Sequence, residues 1–183
     1  MVHTPSASER GSQNPRKATP KIVIVTADPK RTGRLIVEVS KGKRSLSALY
    51  SPEPMERVAL VRHGLPGTIV SVFSSGMGVT KEWVYGALGV PRATATRKVS
   101  HRAQLGSAAT ERALCIAGLI QQVEGLTAQA DAPGFNASNW VARWLDRSHP
   151  ALGSRPPADF LDTDDGRDIV TRLLGQMATG SYA

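Results

Sequence analysis

From Pro52 onward, apolar side chains recur at the spacing of an amphipathic helix, and glycines and prolines cut that pattern into short lengths. A chain patterned in this way must bury one stripe of each helix against the others, so a mainly α bundle is expected. Met55, Val58, Ala59 and Arg62 share one face of a first helix that ends at Gly64. Pro66 suits a first-turn position ahead of Ile69, Val72 and Phe73, and Gly76 and Gly78 break this second helix. Thr80 is the expected N-cap of a third, with Trp83, Val84, Ala87 and Leu88 as its stripe and Gly89 as its stop. Pro91 then reopens the helical pattern. Ser107 is expected to cap a longer helix, with Ile116, Leu119, Ile120 and Val123 on one face, running to about Leu126.

After a loop over residues 127–135, Asn136 is the expected cap of a helix bearing Val141, Trp144 and Leu145. Pro150, Gly153, Pro156 and Pro157 mark a turn-rich connection, followed by a helical turn over residues 158–161. Thr163 is placed to cap the last helix, with Asp164, Asp165 and Asp168 at its positive end and Ile169, Val170, Leu173, Leu174 and Met177 as its buried side.

The region before Pro52 is different. Residues 1–20 have almost no large apolar side chains and read as a disordered basic tail. Residues 21–51 form an N-terminal extension with two β-branched runs, KIVIVT and RLIVEVS, separated by turn residues. A short hairpin is the reading, and two strands alone are marginal in water, so it would need a docking surface. The expected organisation is therefore tail 1–20, extension 21–51, a helical unit 52–126 and a second helical unit 127–183.

Charge divides the chain at nearly the same place. Residues 1–105 hold 17 Lys+Arg against 6 Asp+Glu, and residues 106–183 hold 6 against 9, so +11 and −3 make up the net +8. Segregation of this kind assigns the first half to phosphates and the second to another partner. The segment TKEWVYGALGVPRATATRKVSHRAQL contains the parts of a helix-turn-helix: a short helix with an apolar back, a Gly-containing turn, and a second helix rich in hydrogen-bond donors. Reading helices touch base edges from their N-terminal part, which selects Arg92, Thr94, Thr96 and Arg97. Lys98, Arg102 and the basic tail would mainly neutralise phosphates.

Other chemistries are poorly supported. The chain has no Walker-type phosphate loop, no G-x-S-x-G element, and no His/Cys/carboxylate cluster at catalytic or metal-ligand spacing. His63 and His101 read as surface or capping residues, and the aspartates from Asp162 to Asp168 lack the EF-hand order. Cys115 is the single cysteine, which excludes an internal disulfide, and its apolar neighbours suggest a buried, inert thiol. Apolar runs such as Leu114–Ile120 fall far short of the roughly 20 residues that span a bilayer, so the expected location is the cytoplasm, with no membrane partner. No enzyme activity and no cofactor are called for.

The ordered series Trp144-Leu145, His149-Pro150-Ala151-Leu152-Gly153, Pro157, Phe160-Leu161-Asp162-Thr163, Gly166 and Gly180 resembles the toxin-binding region of the Xre/MbcA/ParS antitoxin family. Upstream, the helices from about Met55 to Leu126, with Leu88-Gly89-Val90-Pro91 leading into a Thr/Arg-rich segment, resemble that family's Xre-type helix-turn-helix. The resemblance covers roughly residues 52–183; residues 1–50 have no counterpart in it. It implies the antitoxin of a type II toxin–antitoxin pair, not itself an enzyme, whose partners are operator DNA and a RES-domain toxin. Such toxins resemble ADP-ribosyltransferases and consume NAD or transfer ADP-ribose from it. The resemblance further implies that the end of the chain, Gly180, Ser181, Tyr182 and Ala183, blocks the toxin's NAD pocket, while Trp144, Leu145, Asp159 and Gly166 shape the docking surface. A homodimer, or a higher hetero-oligomer with the toxin, is the expected assembly. The alternative is a stand-alone helix-turn-helix repressor whose C-terminal domain only dimerises.

Overall fold

The computed structural model describes the backbone of residues 22–24 and 37–39, and residues 46–50, 53–91, 104–129 and 134–179. The expected tail 1–20 lies outside the described residues. Two three-residue strands, β1 (Ile22–Ile24) and β2 (Val37–Val39), pair antiparallel with Val23 opposite Glu38. Everything else in regular structure is helical: α1 (Pro54–His63), α2 (Ile69–Met77), α3 (Lys81–Ala87), α4 (Ser107–Gln129), α5 (Ala137–Leu145) and α6 (Asp164–Thr179), with 3-10 turns at Leu46–Tyr50, Pro150–Leu152 and Pro157–Phe160. The fold is a mainly α helix-turn-helix bundle followed by a small helical C-terminal unit. No helix among the described residues is long and apolar enough to cross a membrane.

The caps explain where the helices begin. Thr80 accepts from the Trp83 N–H at 3.2 Å, Asn136 Oδ1 from the Asn139 N–H at 2.9 Å, and Thr163 Oγ1 from the Gly166 N–H at 3.1 Å. Each satisfies a donor that the first helical turn leaves unpaired. Ser107 does not act as the expected cap; it is already the first residue of α4, and the Thr110 N–H bonds the Gly106 carbonyl. That helix also passes Leu126 and continues to Gln129, because residues 127–129 hold no proline or glycine to stop it.

One continuous apolar core runs from Leu46 to Leu174, and α4 is its spine. Packed on α4 are the 46–50 turn, α1, α5 and α6, while α5 also meets α2. Ile116, Leu119, Ile120 and Val123 are buried as the stripe requires. At the start of α4, the fully buried Thr110 hydroxyl accepts from the Leu65 N–H at 3.1 Å and donates to the Gly106 carbonyl at 3.0 Å.

Two faces are not where the apolar pattern puts them. Met55 and Val58 are 77% and 40% exposed, and Leu60 is the buried residue of α1. Val58 and Leu60 are two positions apart, about 200° around a helix, so the buried side is opposite the stripe of Met55, Val58 and Ala59. On α6, Ile169 is 40% exposed while Val170, Leu173 and Leu174 are buried. Ile169 lies about 100° off that stripe and was expected inside.

The turn at Leu46–Tyr50 joins the core although sequence placed it in an unassigned extension. Leu46 and Leu49 are buried, Tyr50 packs at their edge, and the Arg57 guanidinium stands 4.6 Å above the Tyr50 ring. The Tyr50 ring lies so close to α4 that a Cβ at Gly118 would be 3.1 Å from it.

Candidate functional site

The helix-turn-helix is held as a frame around residues 92–103. On its leading side, α3 buries Val84, the C-cap Leu88 is buried after it, and the helix packs against α2. The chain then turns through Gly89 at φ +63°, with the Gly89 N–H bonded to the Gly86 carbonyl and the Val90 N–H to the Tyr85 carbonyl. On its trailing side, Gln104 bridges to Pro66, and the N–H of buried Leu105 donates to the Leu65 carbonyl at 2.7 Å. His63, exposed, meets the Gln104 side chain at 2.6 Å, a surface role as expected. The candidate DNA contacts Arg92, Thr94, Thr96, Arg97, Lys98 and Arg102 all lie outside the described residues. The described residues on either side of that segment, Val90 and Leu105, are held by backbone hydrogen bonds.

In the C-terminal unit, a closed loop leads from α5 to α6. The His149 N–H donates to the Arg155 carbonyl and the Ser154 N–H to the His149 carbonyl, both at 3.0 Å. Gly153 and Ser154 take consecutive left-handed conformations, φ +63° and +60°, to close it. Ser154 is the only non-glycine residue with positive φ among the described residues, and such a position costs about 1 kcal/mol or more. The His149 ring completes the loop by accepting from the Ala151 N–H at 3.2 Å.

Beyond this loop the exposed Arg155 and Asp159 pair over half-buried Phe160. Arg155 donates through Nε and a terminal nitrogen to Asp159 Oδ2, both at 3.3 Å, and its guanidinium lies 4.8 Å from the Phe160 ring. An exposed pair of this kind adds at most about 1 kcal/mol to stability. Its main effect is to hold the Arg155 and Asp159 side chains in one orientation at the surface. The i,i+4 spacing of Arg155 and Asp159 was readable in sequence, and Arg155 was nonetheless missed.

The four described candidates for toxin contact fall into two groups. Asp159 is exposed; Trp144, Leu145 and Gly166 are buried. Trp144 stacks on Trp140 with 6.1 Å between ring centroids, and its buried Nε1 has no hydrogen-bond partner among the described residues. Gly166 is pressed onto the 157–160 turn, where a Cβ would overlap the Phe160 carbonyl oxygen. Asp159 and Gly166 therefore meet at the same turn, which α5 also touches. Gly180, Ser181, Tyr182 and Ala183 lie outside the described residues.

Arg167, not foreseen from sequence, ties the two units together. It donates to the Leu161 carbonyl at 3.1 Å and to Glu111 of α4 at 3.3 Å, and it also pairs with Asp164. Only 14% of its side chain is exposed. It lines a groove of about 610 Å³ between α1, α4 and α6, together with Tyr50, Arg57, Val58 and Cys115. Burial pushes the Cys115 thiol up to about 11; nearby Arg167 and a hydrogen bond with Thr171 oppose that rise, and Asp168 adds to it. The thiol is therefore uncharged at neutral pH. Among the described residues no group of three His, Cys, Asp or Glu side chains could hold a metal ion.

Comparison with known proteins matches both units in order. Residues 56–118 match the antitoxin Xre-like helix-turn-helix domain, and residues 135–180 match the antitoxin Xre/MbcA/ParS C-terminal toxin-binding domain. A protein of Sphingobium sp. (strain YBL2) named Prs ADP-ribosylating antitoxin is 31% identical over 137 residues, 74% of this chain and 86% of that protein. With the reading frame of the first unit and the capped, glycine-pinned α6 of the second both accounted for, this chain belongs to the Xre/MbcA/ParS family of antitoxins.

Proposed function

We propose that this antitoxin silences a RES-domain toxin, an NAD-consuming enzyme of ADP-ribosyltransferase type, by seating its C-terminal unit on the toxin with Gly180–Ala183 in the NAD pocket. Through Arg92, Thr94, Thr96, Arg97, Lys98 and Arg102 it binds its own operator and represses the operon. The carrying observation is that the toxin-binding match spans residues 135–180 and so ends where this tail begins. Support for the toxin class comes from the name of the Sphingobium relative, which couples an antitoxin to ADP-ribosylation. The tail follows a 16-residue helix, about 24 Å long, whose first turn is fixed by Thr163, Gly166 and Arg167. A short segment on a rigid arm loses little freedom on docking, and Tyr182 supplies an aromatic anchor with one polar end.

The test is co-expression with the adjacent gene, followed by growth and NAD-consumption assays. The full chain should suppress NAD loss. Deleting residues 180–183 should restore NAD loss while operator binding is kept, and Arg97→Ala should do the reverse. Full growth rescue by the truncated chain would show that the tail is not the plug. Operator binding with no effect on the neighbouring toxin would leave a stand-alone repressor.

A further inference from the structure

Arg112, in the second turn of α4, belongs to neither surface described above. Its guanidinium lies directly on Gly89: a Cβ there would collide with one terminal nitrogen and stand 2.6 Å from Cζ and 3.2 Å from the other nitrogen. Gly89 is thus fixed twice, by its positive φ and by this contact. The Arg112 side chain is partly buried, and among the described residues its Nε has no hydrogen-bond partner and it makes no ion pair. The adjacent carboxylate, Glu111, bonds Arg167 instead. A partly buried guanidinium with no counter-charge among the described residues is costly, so an anion placed against it would be favoured.

The position says which anion. Gly89 is in the turn just ahead of the segment that carries the candidate base contacts. Reading helices enter the major groove N-terminus first, which brings the preceding turn level with the flanking phosphates. A guanidinium fork matches phosphate geometry and can bond it in bidentate fashion. We propose that Arg112 is a DNA-contacting residue supplied by the helix that follows the reading segment, reaching across Gly89 to donate to a backbone phosphate. This rests on the operator-binding reading above.

The test measures the affinity of the full chain for operator DNA between about 50 and 200 mM salt, for wild type, Arg112→Gln and Arg112→Lys. Removing one phosphate contact should make the slope of log K against log salt less negative by about 0.9, equally on operator and on unrelated DNA. Arg112→Lys keeps the charge and should keep the slope while losing part of the affinity. Wild-type binding should also fail when one particular phosphate is ethylated, with no such penalty for Arg112→Gln. An affinity loss with unchanged slope would make Arg112 a brace for the turn and overturn the proposal. Should Arg112→Gln not fold, the lysine variant and wild-type ethylation decide: the proposal fails if no phosphate next to the turn is sensitive. A wild-type chain that binds no operator would remove the DNA reading itself, a distinct result from a bound wild type with an unaltered mutant slope.

Discussion

Replacing Gly166 by alanine tests how the C-terminal unit holds its shape. The added Cβ would overlap the Phe160 carbonyl oxygen and stand 2.8 Å from Thr163 Oγ1 and 2.9 Å from the Phe160 carbonyl carbon. The obstacles are mostly backbone, so either the 157–160 turn or the start of α6 must move. Overpacking of this kind costs about 1–3 kcal/mol. Moving α6 also weakens the Thr163 cap, worth about 1 kcal/mol, and the bond from the Arg167 guanidinium to the Leu161 carbonyl, worth about 1.5–3 kcal/mol. Alanine's higher helix propensity opposes these by at most about 1 kcal/mol. Because one displacement causes all the losses, they do not add, and the expected net destabilisation is about 2–3 kcal/mol. Urea unfolding of the full chain, followed by tryptophan fluorescence, should show a lower midpoint at unchanged slope. Toxin capture should weaken more than operator binding. A midpoint equal to or above wild type would mean that the turn yields freely, and the steric account of Gly166 would be wrong.

Leu49→Ala should cost about 2–5 kcal/mol in the same unfolding assay, because Leu49 is a fully buried part of the core although it precedes both family domains. Cys115 should alkylate far more slowly with iodoacetamide at pH 8 than a free thiol, since its pKa is raised to about 11. A group whose folded pKa is raised stabilises the fold below its unfolded pKa, and the contribution is lost as pH rises through the folded value. Thermal stability should therefore fall between about pH 9 and 11, and Cys115→Ala should flatten that fall; an unchanged alkaline profile would contradict it.

Sequence pattern located helices well where the signal was local. Thr80, Asn136 and Thr163 cap as expected because a cap depends on a side chain and an N–H three residues away. The stripes of α2 and α4 are buried because their apolar spacing is unambiguous. The pattern failed for α1, a helix with nearly equal apolar content on two sides, where only the position of α4 decides that Leu60 faces inward. It also missed Leu46–Tyr50, since a five-residue 3-10 turn has no periodicity to detect. Arg167 and Glu111 are 56 residues apart, and no local rule links them.

The motif residues and the exposed residues of the C-terminal unit answer different questions. Trp144, Leu145 and Gly166 are singled out by their places in the family motif, and all three are buried. A partner can touch only what is exposed, so these residues fix the shape that is presented and leave the choice of partner to others. Arg155 and Asp159 are exposed side chains that this shape holds outward, with half-buried Phe160 beneath the Arg155 guanidinium. Gly89 illustrates the same distinction in the DNA-reading unit. Sequence reads it as a helix stop, which is correct, but its lack of a side chain also leaves room for a cation from α4. A glycine that ends a helix has a local cause, whereas one that admits an arginine from a later helix has a tertiary cause. Only substitutions at both partners, Gly89 and Arg112, can tell the two apart.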